Sequence, residues 1–370
     1  MNPYMEEALE LAARGAGRVS PNPAVGAVIV RDDVVVGRGF YTARGVKHAE
    51  PLAIEQAGDK ARGATMYVTL EPHCFHGRTP PCTDAIIAAG IRKVVSPMKD
   101  PNPSVGGRGF DQLVQAGIEV EIAVEYATRA AQLNEAFIHF MRTGCPLVTV
   151  KAAVTLDGKI AAPEDNEGWI TSETARRHVQ KLRHASDAIL TGIGTVLADD
   201  CRLTDRSGEE RARPLLRIVL DSQLRIPPES NMVASCENDL LVVTTSAASP
   251  ERARRLESKG VRVEVMEDRE GRANLPGVVD LLAREKYLSL MIEAGSRVNW
   301  AALESGVADK IFFYYAPKIL GGMQSLPVAG GIGRRRRVDA IRFHNVRVHS
   351  IAPDEFAVEA WLEKHVHGNR

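Results

Sequence analysis

A chain of 370 residues, 44 % hydrophobic and 25 % charged, is long enough for two cores and has the balance of a soluble globular protein. Lys plus Arg and Asp plus Glu both number 47, so the formal charge is zero; no domain-wide basic field exists to hold a nucleic-acid backbone, while a small phosphorylated substrate stays admissible. The opening residues are acidic, no stretch approaches the ~18 apolar residues of a membrane span, and five irregularly spaced cysteines make no disulfide framework, so a cytoplasmic protein with no membrane partner is expected.

Met5, Ala8, Leu9 and Ala12 recur at helical spacing and predict a helix over 4–14, after which Pro21-Asn22-Pro23 breaks the chain. Val25–Val30 reads as a buried strand and Val34–Gly39 as its hairpin partner across Arg31-Asp32-Asp33. A helix over 49–58, a strand over Thr65–Leu70, a helix over Thr83–Ala89 ended by Gly90 and a strand over Lys93–Ser96 follow. Phe110–Ala116 is a helix closed by Gly117, and Ile118–Val124 a last strand, so this half reads as a three-layer α/β/α domain. Residues 126–142 predict one helix leading out, with the domain boundary at Thr143-Gly144-Cys145-Pro146, giving domains 1–145 and 146–370. Beyond it, strands are expected at 147–151, 187–191, 215–220, 240–244, 261–265, 289–293 and 310–315, with helices between several of them. Residues 204–213 and the arginine run within Gly330–Arg337 read as solvated loops.

Chemistry concentrates first around His48-Ala49-Glu50, Pro72-His73-Cys74 and Pro81-Cys82. The first and third open helices, whose free amides and dipoles favour thiolate over thiol. A catalytic zinc ion takes three protein ligands and keeps one position for water, whose pKa it lowers. Glu50, two residues from His48, can reach the same pocket and move the water proton to a departing amine. His-x-Glu alone is weak, but with His73, Cys74 and Cys82 it matches the signature of zinc deaminases acting on nucleobases and related rings. In the second half, Gly192-Ile193-Gly194-Thr195 and Glu293-Ala294-Gly295-Ser296 each end a strand, and their amides suit a phosphate or pyrophosphate. No Gly-x-Gly-x-x-Gly stands in a Rossmann context.

On these and longer segments the chain resembles the bifunctional riboflavin-biosynthesis deaminase/reductase family over nearly its whole length. The segments are Pro21–Gly26, His48–Glu50, Thr69–Pro72, Gly77–Cys82, Asp100–Pro103, Leu156–Lys159, Trp169–Ser172, Thr195–Asp200 and Ala316–Gly322. The resemblance implies an N-terminal cytidine-deaminase-like domain and a C-terminal α/β domain like dihydrofolate reductase. It implies zinc and NADPH as cofactors, phosphoribosylamino-pyrimidines as substrates, and a homo-oligomer, dimer or tetramer.

It also carries residues over. Asn22, Tyr41, Asp100 and Asn102 would shape the pyrimidine pocket, with Tyr41 standing where relatives carry histidine and Lys47 where they carry proline. Ala153, Trp169, Thr195, Asp199, Ser222, Gly295 and Ser296 would line the NADPH site. Lys151, Arg183, Leu203, Arg206 and Glu293 would face the ribose-phosphate substrate, with Glu167 near it in place of a serine, and Lys151 and Asp199 would orient or protonate the sugar oxygens. The chain departs from the family at the metal, because the usual cysteine after Thr-Leu-Glu-Pro is His73 and a cysteine follows as Cys74. Three arrangements are open: zinc on His48, His73 and Cys82; a slipped loop that brings in Cys74; or a decayed site beside a working reductase. A closed four-ligand shell of His48, His73, Cys74 and Cys82 would instead be purely structural.

Overall fold

The computed structural model describes residues 2–363 apart from 46, 78, 165, 166 and 269; Arg78 and residues 364–370 of the expected second domain thus lie outside the described residues. The chain forms two compact units, Met1–Gly144 with Glu210–Arg213, and Cys145–Glu209 with Pro214–Arg370.

The first unit runs α1 (Pro3–Ala13), β1 (Gly26–Arg31), β2 (Val34–Phe40), α2 (Ala49–Ala57), β3 (Thr65–Val68), α3 (Cys82–Ala88), β4 (Lys93–Ser96), α4 (Arg108–Gln115), β5 (Glu119–Ile122), α5 (Ala127–Leu133) and α6 (Glu135–Thr143). Its five strands lie in the order β2-β1-β3-β4-β5, antiparallel around β1 and parallel from β3 to β5. Alternation along β1 builds both faces: Ala27 and Ile29 pack with α2, α3 and α4 residues such as Ala53, Ile86 and Leu113, and Val28 and Val30 with Met5, Leu9 and Ala130 of α1 and α5. The result is the three-layer α/β/α arrangement. Gly39 is what lets α2 sit close, since a Cβ there would stand 2.1 Å from the Ala49 carbonyl oxygen. The single helix expected over 126–142 is instead two, broken at Asn134 (φ −116°, ψ 23°), whose buried side chain bonds both the N–H (2.7 Å) and the carbonyl (3.0 Å) of Ala24. Serving that loop costs Asn134 its helical conformation.

The second unit runs β6 (Leu147–Thr155), β7 (Lys159–Ala161), α7 (Glu173–Ala185), β8 (Ala188–Gly192), α8 (Ile193–Asp199), β9 (Leu216–Leu220), α9 (Asn231–Ala234), β10 (Leu240–Thr244), α10 (Pro250–Glu257) and β11 (Arg262–Val265). It continues with α11 (Leu275–Arg284), β12 (Ser289–Ile292), α12 (Ser296–Glu304), β13 (Lys310–Ala316), β14 (Leu326–Pro327), β15 (Phe343–Ala352) and β16 (Glu355–Leu362). Nine strands form one sheet, β11-β10-β9-β8-β12-β6-β13-β16-β15, parallel as far as β13 and antiparallel in the closing hairpin, which no sequence pattern announced. Val148, Val150, Ala152 and Val154 of β6 face α11 and α12, while Ala153 packs with Ala175 and Val179 of α7 on the other side. That side presents Lys151 to the site. The winding direction reverses where β12 inserts between β8 and β6, the place where open α/β sheets bind ligands beyond the strand carboxyl ends.

Candidate functional site

In the first unit, His48 is the N-cap of α2, Glu50 lies in its first turn, and Cys82 is the first residue of α3. Thr69 prolongs the β3 ladder by exchanging bonds with Gly26, its N–H donating to the Gly26 carbonyl and its Oγ1 accepting from the Gly26 N–H, each at 3.1 Å. That fixes the direction in which residues 70–74 leave the sheet. The Thr83 N–H donates to the His73 carbonyl at 3.3 Å, pinning this segment to the start of α3. The ligand atoms of His48, His73 and Cys82 consequently all lie within 4.8 Å of one another. His48 Nδ1 is 3.5 Å from Cys82 Sγ and its Nε2 is 3.4 Å from Thr79 Oγ1. The His73 ring is oriented by hydrogen bonds to the backbone of Thr79 and Pro80. Cys74 stands outside this group, in the field of Arg108, Glu71 and Asp100.

Electrostatics and unmet hydrogen-bonding capacity fit a metal. Burial, and then His73, lowers the His48 pKa to about 4, and burial also lowers that of His73, so both imidazoles offer neutral lone pairs. Burial pushes the Cys82 thiol far up, reinforced by Glu50; a cation beside it reverses that sign. His73 Nδ1 and Glu50 Oε2 are buried with no hydrogen-bond partner. Two nitrogens and one sulfur are a zinc donor set that keeps a fourth position for water. Burial also raises the Glu50 pKa, against a thiol hydrogen bond from Cys82.

A cavity of about 130 Å³ opens onto this group, and Asn22, Tyr41, Asp100 and Asn102 line it together with His48, Glu50 and His73. Asn22 Nδ2 donates to the Tyr41 hydroxyl at 2.8 Å, so the tyrosine does hydrogen-bond at the mouth. Burial raises the Asp100 pKa to about 6, opposed by the Asn102 N–H and assisted by Glu71. Lys47 points elsewhere, to Glu55 at 2.8 Å. Sequence reasoning missed the apolar walls, Leu70, Phe75, Val105 and Phe137, and it missed Glu71 although that residue lay within a quoted segment.

In the second unit, Gly295 and Ser296 open α12 beyond β12, and Thr195 lies in the first turn of α8 beyond β8. A Cβ on Gly295 would be 3.7 Å from Thr195 Oγ1, so the two loops adjoin. Ser296 Oγ is buried there without a partner, at amides suited to a phosphate. Ala153 stands near the end of β6 and Ser222 just past β9, where its Oγ accepts from the Ala273 N–H at 3.0 Å. Trp169 is 67 % exposed on the loop before α7, with the Arg176 guanidinium 4.7 Å from its ring centre; Glu167 is exposed on the same loop.

Glu293 organises the substrate side. Lys151 Nζ lies 3.0 Å from its Oε1, and Arg183 reaches its Oε2 through Nε (3.1 Å) and a terminal nitrogen (3.0 Å). Burial pushes the Glu293 carboxyl up, but Lys151 and Arg183 outweigh it and hold it at about 2. Lys151 is only 6 % exposed, so it is no solvent-facing strand-end lysine. Arg183 also donates to the Thr204 carbonyl at 2.9 Å, which ties in the loop carrying buried Leu203 (φ +56°) and exposed Arg206. Asp199, at the end of α8, has its pKa raised by burial; burial, then Asp199, raises the nearby Cys201 thiol to about 11 against the pull of Arg183.

Comparison with known proteins gives two matching family models: the cytidine and deoxycytidylate deaminase zinc-binding region over residues 2–98, and the RibD C-terminal domain over residues 146–354. The riboflavin biosynthesis protein RibD of Escherichia coli (strain K12) is 41 % identical over 366 residues, spanning 95 % of this chain and 96 % of its own. The chain belongs to the RibD family. Its Bacillus amyloliquefaciens counterpart is 39 % identical, covering 95 % of this chain and 94 % of that one. The solved structure of Acinetobacter baumannii RibD superposes with a TM-score of 0.86 at 35 % identity, over 98 % of both chains. A Thermotoga maritima structure described as a diaminohydroxyphosphoribosylaminopyrimidine deaminase/5-amino-6-(5-phosphoribosylamino)uracil reductase gives 0.80 at 35 % identity, over 97 % of this chain and 98 % of that one. With both domains present, the protein is a bifunctional deaminase and reductase, with zinc serving the first domain and NADPH the second, as the resemblance implied. The reductase-only alternative is thereby set aside. No helix among the described residues is long and apolar enough to cross a membrane.

Proposed function

We propose that the chain catalyses two consecutive steps of riboflavin biosynthesis: hydrolytic deamination of 2,5-diamino-6-(5-phosphoribosylamino)pyrimidin-4-one, then NADPH-dependent reduction of the ribosyl group to ribityl. The observation that carries the first step is the convergence of His48, His73 and Cys82, with ligand atoms within 4.8 Å, beside Glu50 and its unpartnered Oε2. These three residues hold the zinc. When bound, zinc supplies the Lewis acidity that makes water a nucleophile near neutral pH. Glu50 takes the water proton and delivers it to the leaving amine as ammonia departs. Asn22, Tyr41, Asp100 and Asn102 hold the ring.

In the second unit Ala153, Trp169, Thr195, Asp199, Ser222, Gly295 and Ser296 hold NADPH, which supplies a hydride to the ribose C1′ carbon. Lys151 supplies the matching proton to the ring oxygen, with Asp199 orienting the sugar, so the ring opens to the alcohol. Arg183, Leu203 and Arg206 seat the ribose phosphate, the arginines by charge-assisted hydrogen bonds. Glu293 pairs with both Lys151 and Arg183, and Glu167 turns outward from the phosphate.

The decisive test is a paired assay. Ammonia release from the diaminopyrimidine should stop with a zinc chelator, while NADPH oxidation with the deaminated pyrimidine continues. Chelator-insensitive ammonia release would remove the metal from the first step. Two coarser features complete the reading. Self-association to a dimer or tetramer is supported by β15, an edge strand that leaves Val346 and Val348 exposed; sedimentation showing only monomer at all concentrations would remove it. A cytoplasmic location is supported by five cysteines whose irregular spacing makes no disulfide framework, as suits a reducing compartment, and cell fractionation tests it.

A further inference from the structure

Beyond Thr69 the chain places Glu71 in the interior, 3 % exposed. Its carboxylate accepts four backbone N–H groups: Oε2 from Asp100 and Gly107, each at 2.9 Å, and Oε1 from Gly109 at 2.9 Å and Phe110 at 3.3 Å. Gly109 and Phe110 lie in the first turn of α4, whose amides have no acceptor within the helix and whose dipole favours an anion. The two oxygens of a carboxyl group offer about four lone-pair sites, and four backbone N–H groups are directed at them here. Glu71 therefore reaches the cavity wall with no acceptor capacity left for a substrate.

What it fixes is the loop opposite the metal ligands. Asp100, Asn102 and Val105 on that loop line the cavity. The Asp100 carboxylate accepts from the Asn102 N–H at 2.8 Å, and Asn102 Oδ1 accepts from the Ser104 N–H at 2.9 Å, so the two side chains are set by a run of turns whose first amide is anchored on Glu71. The other end of the same carboxylate seats α4 on the ligand segment itself. A Cβ on Gly109 would stand 2.1 Å from the Pro72 carbonyl oxygen, the residue before His73. One buried side chain thus joins the recognition loop, the start of α4 and the strand end that delivers His73.

We infer that Glu71 is a positioning residue for ring recognition: it sets Asp100 and Asn102 at a fixed distance from His48, Glu50 and His73 without accepting a hydrogen bond from the substrate. This rests on the deaminase reading above. A group that positions recognition side chains acts on substrate binding more than on the chemical step.

Steady-state kinetics of Glu71→Gln test it. The amide turns an NH₂ group toward N–H donors and loses about half of its acceptor sites. The expected result is a KM for the diaminopyrimidine raised about tenfold or more with kcat within about threefold, wild-type zinc content, and unchanged reductase kinetics in the same preparation. A fall in kcat at unchanged KM, loss of zinc, or wild-type behaviour in both constants would overturn the inference. Should this variant fail to fold, Glu71→Asp, which keeps the carboxylate but shortens its reach by one methylene, must show the same KM-weighted defect; an effect on kcat alone would overturn the inference equally. If the wild-type protein releases no ammonia, the deaminase reading itself falls. Normal wild-type turnover beside an unaltered Glu71→Gln sinks only the role of Glu71.

Discussion

Glu50 is held out of water with Oε2 lacking a partner, an arrangement that costs stability. Such a carboxylate is poised to accept a proton. Glu50→Gln keeps the shape and removes the basicity, so it should retain zinc, lose deamination by about 10²–10⁴-fold and leave NADPH oxidation intact. Ammonia release near the wild-type rate from a zinc-loaded sample would refute that role. His73 raises a second question at this scale, because a site with one thiolate carries more net positive charge than one with two and holds its ion less tightly. His73→Cys should therefore compete better with a chelator for zinc than the wild type does. The cobalt-substituted wild type should show the thiolate charge-transfer band of one cysteine. Two thiolates in that spectrum would bring Cys74 to the metal and displace His73. The motif residues were legible because each opens a helix or ends a strand, where the sequence pattern also changes. Glu71 was not, because a lone acidic residue in a motif carries no sign that four backbone amides will surround it.

Three elements meet at Glu293, which ties Lys151 of β6 and Arg183 of α7 to the end of β12. Its carboxyl is held at about 2, below the ordinary 4.5, so ionisation favours the folded state. That stability is fully present above about pH 4.5 and is lost as pH falls toward 2, with a ceiling of roughly 3 kcal/mol. Urea unfolding followed by the reductase-unit signal should show Glu293→Gln less stable than wild type at pH 6, with the gap narrowing toward pH 3. A gap that stays constant with pH would mean that the ion pairs contribute nothing there. The core strands were legible because β6, β8 and β10 are apolar runs and β1 sits between turn signals. The hairpin β15–β16 was not. Most of β15 is exposed, so residues such as His344, Asn345 and Arg347 dilute any alternation, and Glu359 occupies a buried position where it meets Lys310 at 2.7 Å. Asn134 broke an expected helix for a similar reason: its partner, Ala24, lies far away in sequence.

At the scale of the whole chain, each unit has its own apolar core, one built on β1, β3 and β4 and the other on the nine-stranded sheet. The zinc group belongs wholly to the first. A ligand that binds only the folded form of one unit stabilises that unit by mass action, by about 4 kcal/mol when free metal exceeds its dissociation constant a thousandfold. Calorimetry of the full chain should accordingly resolve a transition that a chelator lowers by several degrees and another that it leaves in place. NADPH should do the reverse, raising the second transition alone. The assignment of transitions is checked by function: at a temperature between the two midpoints, the activity that fails should be the one whose ligand shifts the lower transition. If chelator and NADPH move a single shared transition together, the two cores unfold as one cooperative body, and unchanged reductase kinetics in Glu71→Gln would then show that the first unit is folded as well.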